Sequence, residues 1–254
     1  MTHPAATQPA TRFRDVVIIG GGCYGTFYAS QLQTARARGK ASYRRLFLVD
    51  HDPGCKAARE LRPDPARELV VAEWDPFLAA FLEQAPPAAQ EPDDAIVPSP
   101  LMPHLMADWL LATARARWPG RAVELRPVAQ PLGTPYDRLA ADGTRYVSFA
   151  DWICPTHCVE PLTCPVIRGP RTWEMSDALE RYRERLARSS RVEGPALFVT
   201  RHRAFGVGMF DVAEARAARG LLTEAGTGRP PADLLVATVS SCHGAISLLH
   251  LGEK

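Results

Sequence analysis

The chain has 254 residues, of which 46% are hydrophobic and 23% charged, the composition of a globular protein with room for one large domain or two small ones. Thirty basic residues against 28 acidic ones leave a formal charge of +2. No dense basic run occurs, so nucleic acid is not an expected partner. Lys40, Lys56 and Lys254 are the only lysines, which leaves little for Schiff-base or lysine-base chemistry.

Residues 1–14 hold no apolar core of the length a secretory signal needs and read as a tail before the first strand. The least polar long stretch, 233–251, is interrupted by Asp233, serines and histidines, so no membrane span is expected. A cytoplasmic location follows as the expectation. There, clustered cysteines more often bind metal or do redox work than form structural disulfides.

The first element is the run DVVII at 15–19, followed by Gly20-x-Gly22-x-x-Gly25 and a helical pattern that continues to Leu32. In this context Gly20 permits a tight turn, Gly22 lets backbone approach a pyrophosphate, and Gly25 lets helix pack on strand. The next apolar run, RRLFLVDHD at 44–52, places Asp50 at a strand end, where an acid meets the ribose hydroxyls and favours NAD over NADP. The same loop also suits the adenine half of FAD. A strand at 68–74, a helix at 75–84 and a proline-rich loop follow.

Residues 94–127 carry a resemblance. Asp94, Ser99, Pro100 and His104, then a helical stretch and Glu124-Leu125-Arg126-Pro127, resemble the fourth-strand region of two-domain oxidoreductases of the glucose-fructose and inositol dehydrogenase type. The resemblance implies a Rossmann-like nucleotide fold over residues 15–128, with Ser99 beside the cofactor and His104 as a catalytic or nucleotide-covering histidine. It departs at the family's catalytic lysine, replaced by Arg126. Arginine hardly deprotonates and cannot shuttle a proton as lysine does.

Residues 127–143 are rich in turn formers and read as a connection. Beyond them strands are expected at 144–153, 195–200 and 233–240, and helices at 176–190 and 210–226. The alternation predicts an α/β fold: a doubly wound, mostly parallel, Rossmann-like sheet extended over 129–254 by further strand-helix units. In such a sheet ligands gather at the strands' carboxyl ends. The Cys/His loop, Arg201-His202-Arg203 and Ser241-Cys242-His243 each follow an expected strand.

That loop, WICPTHCVEPLTCP at 152–165, spaces Cys154, Cys158 and Cys164 as C-x3-C-x5-C among three prolines that forbid a helix. Zinc or an iron-sulfur cluster would take these thiolates, with His157, Cys242 or His243 as a fourth ligand. Thiol redox chemistry and plain packing stay open as alternatives. Cys55 reads as structural, and Cys23 as a distant ligand or a small buried residue. Arg201 and Arg203 suit a carboxylate or phosphate, and Arg168 and Arg171 share that potential.

The sequence therefore predicts an NAD(P)-dependent oxidoreductase that binds a dinucleotide and a small-molecule substrate, with a possible homo-oligomeric state. Gly20, Gly22, Gly25, Asp50 and Ser99 would hold the cofactor. His104 and His243 would carry protons, and Cys154, His157, Cys158, Cys164 and Cys242 would ligate metal. The competing expectation is a non-catalytic nucleotide sensor or partner-binding protein in which the cysteine loop is a structural clip.

Overall fold

The computed structural model describes residues 10–150, 158–228 and 231–253. In chain order the elements begin β1 (Thr11–Arg12), β2 (Asp15–Ile19), α1 (Cys23–Ala37), β3 (Ala41–Ser42), β4 (Arg45–Asp50), α2 (Lys56–Glu60), β5 (Arg67–Val71), α3 (Trp74–Leu82), β6 (Ala95–Val97) and α4 (Leu105–Arg117). They continue with β7 (Val123–Arg126), β8 (Tyr136–Leu139), β9 (Arg145–Ser148), β10 (Thr163–Cys164), β11 (Gly169–Pro170) and α5 (Met175–Leu186). The last are β12 (Val192–Val199), β13 (Arg201–Ala204), β14 (Val207–Asp211), α6 (Val212–Thr227), β15 (Ala232–Val239) and β16 (His243–Leu251).

β2, apolar from Val16 to Ile19 after Asp15, is buried at every position, as a central strand covered on both faces must be. It pairs in parallel with β4 on one side and β6 on the other, and β4 pairs in parallel with β5. The β13–β14 hairpin adds antiparallel to β6, giving the order β13-β14-β6-β2-β4-β5. Alternate residues then face opposite helices. Val16, Ile18, Leu46 and Leu48 pack with Ala29, Leu32 and Ala35 of α1 and Ala57 of α2. Val17, Ile19, Phe47 and Val49 pack with Leu78 and Phe81 of α3, Leu110 of α4 and Leu222 of α6.

That second cluster also contains Leu234 and Val236 of β15 and Leu249 and Leu251 of β16, so α4 and α6 are buried between two sheets. The opposite face of the second sheet, through Leu235, Ala237 and Ile246, packs on Met175, Leu179 and Tyr182 of α5. The result is five layers: helices, sheet, helices, sheet, helix. This is an α/β protein. The boundary expected near residue 128 does not separate the sheets, because β13 and β14 join the first and β7 pairs with β16 in the second.

The second sheet differs from the expected parallel extension. Its order is β12-β15-β16-β9-β8, and among the described residues only β12 and β15 run parallel. The cause is local. Residues 240–242 close a tight turn in which Ser240 donates its amide to the His243 carbonyl at 2.9 Å, and Ser240 Oγ accepts from the amides of Cys242 and His243. A turn this short can only return the chain antiparallel. Two further segments are strands rather than loops: β8 inside the turn-rich stretch, and β13 at Arg201–Ala204. Among the described residues no helix is long and apolar enough to cross a membrane.

Candidate functional site

The glycine turn lies between the carboxyl end of β2 and α1. Gly20 adopts φ +89°, a conformation open to glycine, and donates its amide to the Val49 carbonyl at 2.8 Å. A Cβ on Gly25 would stand 1.8 Å from the Gly20 carbonyl oxygen, so the helix reaches the strand only because that position is bare. Gly22 has the opposite surroundings: nothing lies within 4 Å of where its Cβ would be. It is the N-cap of α1, with no side chain capping the helix and no acid in the first turn. The first amides of α1 are therefore without intrahelical partners, and no acid of the helix's own first turn faces them.

Gly21, which the fingerprint leaves unspecified, holds the loop in place. Its amide donates to Asp50 Oδ2 at 2.6 Å, its carbonyl accepts from Ala57 at 2.9 Å, and a Cβ there would meet Cys55 Sγ at 2.4 Å. Cys55 is thus the buried floor beneath the loop. Asp50, only 8% exposed, accepts a second amide bond from Asp52 at 2.9 Å. Cys23 is exposed at the helix start, with Lys56 Nζ 3.7 Å from its sulfur.

Two adjoining cavities lie where the two sheets meet, at the step from β12 through Thr200 into β13. One, of about 240 Å³, is walled by Tyr28 of α1, by Ser99 and Pro100 after β6, and by Thr200 and Gly208. The other, of about 170 Å³, is walled by Cys158, Cys164, Cys242, Glu160 and Arg171. His202, Ser240 and His243 line both. The structure thus brings Ser99, His243, Cys158, Cys164 and Cys242 to one region.

Several contacts fix this wall. Both oxygens of Glu160 accept amides of the β15–β16 turn, from Ser241 and Cys242, each at 3.1 Å. Trp173, stacked on Phe149, donates Nε1–H to Cys242 Sγ at 3.3 Å. Burial pushes the Cys242 thiol up to about 12 despite that bond. Burial also pushes the His243 imidazole below its ordinary value, with Glu160 acting in the opposite sense. Nδ1 of His202 lies 2.8 Å from the Gly206 carbonyl. It can only donate there, which leaves Nε2 as the acceptor of a neutral ring.

Other expected residues lie elsewhere or are occupied. Cys154 and His157 fall outside the described residues. His104 opens on a separate cavity of about 160 Å³ with Asp108, Arg126 and Asp142, not on the one that Ser99 lines. Its Nε2 lies 3.6 Å from Asp108. Arg126 pairs with Glu124 at 2.7 Å. Arg201 and Arg203, expected to meet an anion, have carboxylate partners within the chain: Arg201 is paired with Glu214, and Arg203 grips both oxygens of Asp211. Arg171 lines the thiol cavity and pairs with Glu174. Among the described residues no three His, Cys, Asp or Glu side chains stand close enough together to hold a metal ion.

A family model described as "Uncharacterized protein, C-terminal domain", AF_1314_C, matches residues 106–252, more than half of the chain. The chain belongs to this family. No curated protein and no solved structure matches it. The AF_1314_C domain contains Glu160, Arg171, His202, His243 and the three cysteines of the cavity, whereas the glycine turn and Ser99 lie before it. The thiol-lined cavity therefore lies within that domain, whereas the cavity walled by Tyr28 and Ser99 forms where the domain meets the preceding residues.

His202, Glu160, Trp173 and Gly21 were not singled out as site residues by the sequence. His202 sits in the stretch read as an anion loop, and its position after an expected strand was its one signal. Glu160 and Trp173 carry no motif, since their roles depend on a turn more than sixty residues away.

Proposed function

We propose that the protein is a dinucleotide-dependent oxidoreductase whose first sheet is a Rossmann-like, doubly wound layer. The observation that carries this is the glycine turn: Gly22 opens onto free space at the uncapped start of α1, beside a bare Gly25 pressed on Gly20. Strand order supports the reading, because the chain goes from β2 outward to β4 and β5 and then returns to β6 on the other side. Ligands of open α/β sheets bind at that reversal, at the strands' carboxyl ends. Pro98, Ser99 and Pro100 follow β6 at that position.

The residues fit a pyrophosphate on the amides of Gly22 and α1, with Asp50 toward the ribose favouring NAD over NADP. When bound, the dinucleotide supplies hydride transfer. The chain's own part is to position and to move protons. Tyr28, Ser99 and Thr200 wall the cavity nearest the helix, and the imidazoles of His202 and His243, between the two cavities, can exchange a proton with a small substrate in the second.

Calorimetric titration of the purified chain with NAD(H), NADP(H) and FAD tests the proposal. Saturable binding of one of them, lost in Gly22→Val, is expected. No binding of any would sink it. One observation favours a sensor without turnover as a second reading: His104 opens on another cavity, and the position of the family's lysine is the paired Arg126.

A further inference from the structure

We infer, resting on the dinucleotide reading above for the reaction, that the substrate is a small 2-oxo or 2-hydroxy acid whose carboxylate is held by the Arg171 guanidinium in the thiol-lined cavity. Arg171 directly follows β11, and its amide donates to the Leu162 carbonyl at 2.7 Å. The β10–β11 hairpin thus fixes where the side chain starts, and the side chain lines the cavity together with His202 and His243.

Only one nitrogen of this guanidinium is occupied. Nη1 donates to the Trp173 carbonyl at 3.1 Å and to the Glu174 carboxylate. Nε is buried without a partner, and Nη2 forms no hydrogen bond among the described residues. Nε and Nη2 share one edge of the fork, the geometry that takes a carboxylate through two parallel bonds. A charged side chain only 13% exposed, with that edge unmet, calls for an acceptor from outside the chain. Its neighbours leave room for one. Glu160, the other charge on this wall, has both oxygens on the amides of the β15–β16 turn. Burial holds the Cys242 thiol near 12, so it is neutral and adds no negative charge.

Size and polarity narrow the class. A cavity of about 170 Å³ is smaller than those that hold drug-sized ligands, and Pro161, Pro165, Cys158 and Cys164 offer an apolar wall to a short aliphatic group. The 2-oxo acid becomes a 2-hydroxy acid by gaining a hydride at C2, supplied by the reduced dinucleotide, which is oxidised, and a proton at the carbonyl oxygen. The imidazoles of His202 and His243 line the same cavity and supply that proton.

Calorimetric titration of 2-oxobutyrate into the full-length chain saturated with NAD⁺ or NADP⁺, a pair that cannot react, reads binding without turnover. The uncharged 2-oxobutyramide is the control. Saturable binding of the acid is expected, with the amide about a hundredfold weaker. Arg171→Met should erase that difference, and Arg171→Lys, which keeps the charge without the fork, should restore part of it. Were Arg171→Met not to fold, the wild-type ratio of acid to amide still decides. Nucleotide bound but acid and amide taken alike, or an unchanged preference in Arg171→Met, would overturn the substrate class and leave the dinucleotide reading standing. No binding of either nucleotide would sink that reading and the substrate assignment with it.

Discussion

The Gly21 amide and the Asp50 carboxylate, 2.6 Å apart, join the turn after β2 to the end of β4. The acid that a dinucleotide fold uses toward the ribose therefore also holds the glycine turn in shape. Asp50→Asn keeps an acceptor but loses the charge. A loss of about 1 kcal/mol is expected, the difference between a charge-assisted and a neutral hydrogen bond, together with a narrower preference for NAD over NADP. Urea unfolding and the ratio of the two dissociation constants check both.

Gly22 and Gly25 should separate binding from stability. In Gly22→Ala nothing lies within 4 Å of the new methyl, so the melting temperature should hold while nucleotide affinity falls more than tenfold. In Gly25→Ala the methyl would meet the Gly20 carbonyl at 1.8 Å, so backbone must shift and the melting temperature must fall. Equal melting temperatures in the two variants would contradict this assignment.

Asp15 governs the acid limb. Burial on its own would raise its carboxyl, but hydrogen bonds from Arg44 and Arg45, at 3.0 Å, hold it below the ordinary carboxylate value. A depressed folded-state value contributes stability that is present above the unfolded-state value, about 4, and is lost as pH falls through the folded one. Melting curves across acid pH should therefore decline less steeply for Asp15→Asn than for the wild type.

The buried helix layer predicts one unfolding transition. Phe198 of the second sheet and Phe210 of the first are fully buried and in contact, with ring centroids 5.6 Å apart. Phe210→Ala should cost about 3–5 kcal/mol and lower the single transition rather than split it. Two separated calorimetric transitions in the wild type would mean that the sheets fold independently.

The first sheet was legible because its signals are local. A run such as DVVII, followed by spaced glycines and a helical stripe, states strand, turn and helix within twenty residues. The second sheet was less legible because β16 is specified by a turn, Ser240 to Cys242, that carries no common hairpin pair. Read without that turn, Cys242 and His243 looked like the end of the chain's last strand rather than the start of another. The cysteine convergence followed from strand ends and was readable for Cys164 and Cys242. The neutralisation of Arg201 and Arg203 was not, because Glu214 and Asp211 approach only once β13 and β14 pair.

The most direct test of the central claim is the affinity of the purified chain for NADH, measured by calorimetry alongside its melting temperature. The account predicts saturable one-to-one binding and, at a hundredfold excess over Kd, a stabilisation of about 2.7 kcal/mol, or roughly 5–10 °C, both lost in Gly22→Val. An unchanged melting temperature and no heat of binding with NADH, NADPH or FAD would contradict it.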